Sequence, residues 1–227
     1  GLFGSSISFE VFNMDLCHIL LLACVPCLDA LSPMKDANMN GNYLISRTPN
    51  APAGKSFPTN FSDFPGGVEY FEVYHGPIKS VYSEVFWTQI SNDIPEEIVK
   101  RFDGKVMAIV GIEMDQVRKT PEGDIPVPIT VTYNHHHDTA VVGKGSTLEE
   151  VDMHDPRVKA AGRAWVCLDK HKVWLPIEHT PSNAGVATSA MFSDGNGGEY
   201  RKTFHAYAPP FAQLVDSPVK FAGAPMQ

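Results

Sequence analysis

The chain has 227 residues, 43% of them hydrophobic and 19% charged, enough for one soluble unit with a closed core. Its 26 acidic and 18 basic residues give a formal charge of −8, and no block of lysine and arginine breaks that balance, which argues against nucleic acid or an anionic membrane surface as a partner. Eighteen glycines and 18 prolines, set between short β-branched and aromatic runs, argue against a helical bundle and favour a β-rich fold.

In chain order, residues 1–13 read as an upstream or unstructured segment, because the first methionine is Met14. The apolar run over 19–28 is too short to span a bilayer but suits the core of a signal peptide. With Ala30 as the small residue before cleavage, residues 14–30 are expected to be removed and the protein to be secreted, with no membrane span in the mature chain. Cys17, Cys24 and Cys27 fall inside that segment, so Cys167 alone would remain and no internal disulfide could form. The Cys-Val-Pro-Cys stretch lies within the apolar run, without the strand and helix that a redox motif needs. Asn60-Phe61-Ser62 is a glycosylation acceptor that fits a secreted loop.

Residues 31–67 are rich in Pro, Asn, Gly and Ser and read as an extended arm or loop. A β-rich domain is expected over 68–227, with a C-terminus that reads as truncated. Its strand-like runs are "VEYFEVYH", "KSVYSEVFWTQI", "KVMAIVGIEMDQV", "VPITVTYNHHH", "RAWVCL", "KVWLPI" and "EYRKTFHAY",. Two helices interrupt them: "DIPEEIVKRFDG", with Asp93 as cap and Gly104 just past the end, and "STLEEVDMHDPRVKAAG". In the second, Thr147 and Glu150 have capping-box spacing and Asp155-Pro156 can restart the helix. The fold class that follows is mainly β, a β-sandwich or jelly-roll-like domain with two short helices on connections.

The chemistry is concentrated in "TVTYNHHHDTAV", residues 130–141. If this run is one strand, Ile129, Val131, Tyr133, His135 and His137 share an apolar face, while Thr130, Thr132, Asn134 and His136 share the other. Histidines at i and i+2 can aim their imidazoles at one point and begin a three-histidine metal site. His205, His179 and His75 are the candidates for the third ligand. His205 is preferred for its place on a separate strand, and His179 is second. His136 is expected to face away or to join only through a bulge, and Asp138 could orient a ligand imidazole through its second nitrogen.

Imidazole ligands without cysteine suit copper or zinc, and secretion favours copper. Neighbouring histidines on a secreted β-rich domain resemble the copper type II ascorbate-dependent monooxygenases, in which adjacent histidines and a remote one hold one copper. The resemblance implies His135 or His136 with His137, plus His205 or His179, as copper ligands, and implies oxidoreductase activity. The family's second copper site, which needs another His-x-His pair and a distant methionine, has no counterpart here.

Other chemistry is weaker. "SDGNGGEY" lacks the glycine and glutamate positions of an EF-hand loop and reads as a glycine-rich hairpin. "GKGST" lacks Walker spacing, and no Gly-x-Ser-x-Gly element is present. Three readings follow: a secreted copper-dependent oxidoreductase, a zinc-dependent hydrolase or lyase, and a non-catalytic secreted β-sandwich acting as a matrix or binding protein.

Overall fold

A computed structural model describes residues 3–13, 57–58, 68–121, 123–127, 129–160, 172–195, 197 and 203–227. The expected signal peptide over 14–30, nearly all of the arm over 31–67, and the "RAWVCL" strand with Cys167 lie outside the described residues.

Three sheets are formed by the described residues. The first contains β1 (Phe3–Asn13), β2 (Phe57–Pro58), β3 (Glu69–Ile78), β5 (Val106–Thr120), β6 (Gly123–Pro126), β11 (Thr203–Ala206) and β12 (Gln213–Asp216). The second runs in the order β10 (Ser189–Asp194), β7 (His136–Gly143), β13 (Pro218–Met226) and β4 (Ile90–Asp93), and the third pairs β8 (Ser146–Asp152) with β9 (Lys172–Glu178). The mainly β, sandwich-like expectation is therefore met. Phe3–Asn13 departs from the expectation of an unstructured segment over 1–13: as β1 it lies antiparallel between β3 and β5.

The first two sheets face each other across a core of Phe71 and Val73 from β3, Met107, Ile109, Ile112 and Met114 from β5, and Val141, Ala190, Val215 and Phe221. Strand β5 contributes odd positions before residue 110 and even positions after it. The inversion coincides with a bulge, where Glu10 pairs Gly111 but Val11 pairs Ile109; one extra residue reverses the facing of everything beyond it. Helix α1 (Glu96–Arg101) buries Ile98 in the same core. Gly104, at φ +68, follows it.

The central strands of the second sheet, β7 and β13, are buried on both faces. Its other side, Ala140, Val142, Ala222 and Ala224, packs on Val151, Val173, Leu175 and Val158, the last from α2 (Pro156–Ala160). The molecule is thus layered sheet on sheet on hairpin.

Two sequence expectations fail for identifiable reasons. The capping-box helix over 146–152 is strand β8, because register-perfect pairing with β9 from Ser146↔Glu178 to Asp152↔Lys172 outweighs a local cap signal,. Only the part after Asp155, whose carboxylate accepts from the Arg157 backbone N–H at 2.9 Å, is helical. The run over 129–135 is not a strand either. Val131 and Tyr133, expected to point inward, are 64% and 51% exposed. The buried Gln116 side chain donates to the carbonyls of Val127 at 3.0 Å and Thr132 at 2.5 Å, which folds the segment into a turn. Strand structure resumes only at His136. Likewise, "KSVYSEVFWTQI" is mostly turn and loop, with Tyr82 fully exposed.

Candidate functional site

The histidine run straddles the start of β7, so its three members have three different surroundings. The backbone N–H of His135 donates to Met226 O at 2.8 Å, while its ring stays exposed beside Tyr133. His136 takes the outer face, edge-on to Trp87 with ring centroids 5.5 Å apart. Its Nδ1 lies 3.7 Å from Asp138 Oδ2, so Asp138 attends His136. Partial burial lowers the His136 pKa, Asp138 opposes that, and the charge on His135 adds to it. His137 takes the inner face with Thr139 and Val141, and it is 0% exposed.

The expected third ligands are elsewhere. His205, with 57% of its side chain exposed, faces Asp194, with Nε2 to Oδ1 at 3.2 Å. Exposed His179 bonds the Thr147 hydroxyl and sits 3.9 Å from Glu149 Oε1. Among the described residues no three His, Cys, Asp or Glu side chains gather so as to hold a metal ion. The expected triangle of His135, His137 and His205, with His179 as substitute, is not assembled.

The structure does bring together His137 and His75. Along β3, Phe71, Val73 and His75 alternate onto the inner face, and His75 is 1% exposed. The two rings, one from each sheet, meet with centroids 5.4 Å apart and planes at 56°, and Phe221 stacks on His75 at 4.9 Å. What admits both is Gly223, paired with Thr139 in the register of β13 and β7. A β-carbon at Gly223 would lie 2.8 Å from His137 Nε2 and closer still to His75 Nε2. Both Nε2 atoms therefore pack on the same side of Gly223, and any side chain there would collide with them.

Burial sets the charge state of the pair. It pushes the His75 pKa down to about 4; the Asn92 amide beside the ring draws it the other way. His137 is held well below the usual imidazole range, by burial first and then by the charges of His75 and His136. Both rings are neutral at neutral pH, the form in which a ring nitrogen keeps a lone pair to offer. Neither ring nitrogen of His75 has a partner at hydrogen-bond geometry among the described residues, and the hydroxyl of fully buried Thr139 has none. Buried polar atoms in this condition are uncommon and costly.

The nearest carboxylate by register is Asp194, cross-strand from His137. It turns to His205 at the edge of the sandwich, beside a cavity of about 310 Å³ lined by Met114, Met191, Phe192 and Tyr207. The signal for His75 was present in the sequence as the alternation Phe71, Val73, His75. Gly223 gave no signal, since its meaning depends on which strands flank it.

No family model, curated protein or solved structure matches the chain. None of the described helices is long and apolar enough to cross a membrane.

Proposed function

We propose that this is a secreted metal-binding β-sandwich protein whose ligands are the interior pair His75 and His137. One observation carries the reading: two neutral, buried imidazoles from opposite sheets lie side by side, with both Nε2 atoms packed on the same side of Gly223. The expected ligand class, imidazole without cysteine, is retained, and one of the expected ligands, His137, is retained with it. Copper and zinc both accept such nitrogens. Burial of both rings favours holding an ion over turning over a substrate, since oxidoreductase or hydrolase chemistry needs a coordination position open to the reactant.

Metal analysis of tag-free protein after loading and gel filtration tests this. About one ion per chain is expected, lost in His137→Ala and kept in His136→Ala. Equal metal content in the two variants would overturn the assignment. The stacking of Phe221 on His75 favours a second reading, a non-catalytic sandwich in which the pair is core packing. In that case no ion is retained by the unsubstituted protein.

A further inference from the structure

We infer that the cavity at the edge of the sandwich binds a small organic cation, a primary amine on an apolar body, whose ammonium group is anchored by the Asp194 carboxylate. The site lies towards the surface from the interior histidine pair, and it stands or falls independently of the metal-binding reading.

Strand placement makes the cavity. Among the described residues β10 ends the second sheet and β11 ends the first, so two edge strands from opposite sheets come together here. At the start of β10 the sheets are tied, the Asp216 backbone N–H donating to Ala187 O at 3.0 Å. Towards its other end, β10, β5 and β11 enclose about 310 Å³, the lower end of the range for small-molecule sites. Ala190 and Phe192 of β10 belong to the inner core, and alternation carries Asp194 onto the same face,. His205 is cross-strand from Ile112, an inner-face residue of β5, and so shares that face of the first sheet. The pair meets across the gap, Nε2 to Oδ1 at 3.2 Å, with the Asp194 side chain 5% exposed and that of His205 57% exposed. The carboxylate is thus at the back of the cavity and the imidazole at its mouth.

Charge selects a cation. A carboxylate this enclosed is costly unless a cation or strong donors attend it, and no lysine or arginine is among the described lining residues. The other ring nearest Asp194 by register, His137, is neutral at neutral pH. The formal charge of −8 adds a field that draws cations and repels anions,. An ammonium group gives Asp194 a charge-assisted hydrogen bond, which a neutral hydroxyl cannot match. A metal ion is disfavoured, since no third His, Cys, Asp or Glu joins Asp194 and His205 among the described residues.

The walls select an apolar body. Met114, Met191, Phe192 and Tyr207 present thioethers and aromatic rings, which pack against hydrocarbon and whose polarisable sulfur and ring faces suit a neighbouring ammonium. His205 acts as the gate. It holds Oδ1 of the unliganded site and, lying mostly in solvent, turns outward when the ammonium takes its place.

The test is calorimetric titration of the unsubstituted chain at pH 7 with three probes of one shape: 2-phenylethylamine, neutral 2-phenylethanol and anionic phenylacetate. The amine should bind at least about tenfold more tightly than the alcohol, and phenylacetate should bind more weakly than either. Asp194→Asn should lower amine affinity by at least about tenfold and leave alcohol affinity within about twofold, which shows the cavity intact. His205→Lys, at an exposed position, sets a tethered ammonium beside the carboxylate and should also lower amine affinity about tenfold, with an unchanged near-ultraviolet circular dichroism spectrum. Equal affinity for amine and alcohol, amine binding that survives Asp194→Asn, or no amine binding at all would overturn the proposal. If Asp194→Asn does not fold, His205→Lys decides: amine binding left intact there is the contrary result.

Discussion

The central strands β7 and β13 have two buried faces, and alternate residues along them build these faces by opposite rules. On the outer face, Ala140, Val142, Ala222 and Ala224 present small aliphatic surface to Val151, Val173 and Leu175. On the inner face, Val141 and Phe221 are joined by His137, Thr139 and Gly223, so large, polar and absent side chains stand side by side. The outer face is a packing surface that needs only volume and apolarity. The inner face keeps polar atoms in the interior and a glycine between them, which costs stability and has no packing rationale. A region that spends stability without a structural return is where function is to be sought.

Substitutions on the two faces should separate these rules. The largest effect is expected from Phe221→Ala, which removes a fully buried ring shared by the core and His75. It should cost about 3–5 kcal/mol in urea unfolding and should also weaken metal retention. Next is acid. Below its ordinary value of 6.5, His75 binds a proton in the unfolded chain but not in the native one until about pH 4. Stability of the metal-free protein is therefore complete above pH 6.5 and falls through that window. The loss is about 3 kcal/mol from this residue alone at roughly 1.4 kcal/mol per unit, and His137 acts in the same direction. His75→Phe should flatten that slope, leaving neutral-pH stability little changed, because a polar group without a hydrogen bond is replaced by an apolar ring. On the outer face, Ala222→Leu should cost about 1–3 kcal/mol by overpacking, with metal binding kept. Smallest is His135→Ala, an exposed ring outside β7, expected within about 0.5 kcal/mol in stability and without effect on metal content.

Much of the architecture was legible in the sequence because strands β3, β5 and β9 carry their own signal in β-branched and aromatic runs bounded by turn residues. The failures share a cause. Residues 146–152 and 129–135 are decided by partners distant in the chain, β9 for the first and Gln116 for the second. Burial on both faces also hides β13: "VKFAGAPM" has no alternation to read, because both sides of it meet protein,. For the site, period two correctly set His137 apart from His136, since adjacent strand residues must face opposite ways. It could not supply the second ring, because His75 approaches from the other sheet, and sequence spacing carries no information about which strands are stacked. His205 was attractive for its separate strand, yet that strand sits at the sheet edge and gives its ring to Asp194.

The most direct measurement is X-ray absorption at the metal edge of the loaded, tag-free protein, taken together with His137→Ala and His136→Ala. The account predicts an ion bound by two imidazole nitrogens, a spectrum unchanged in His136→Ala, and loss of that signal in His137→Ala. A spectrum that His137→Ala leaves intact, or one that only His136→Ala alters, would place the ion outside the sandwich and contradict the assignment of His75 and His137.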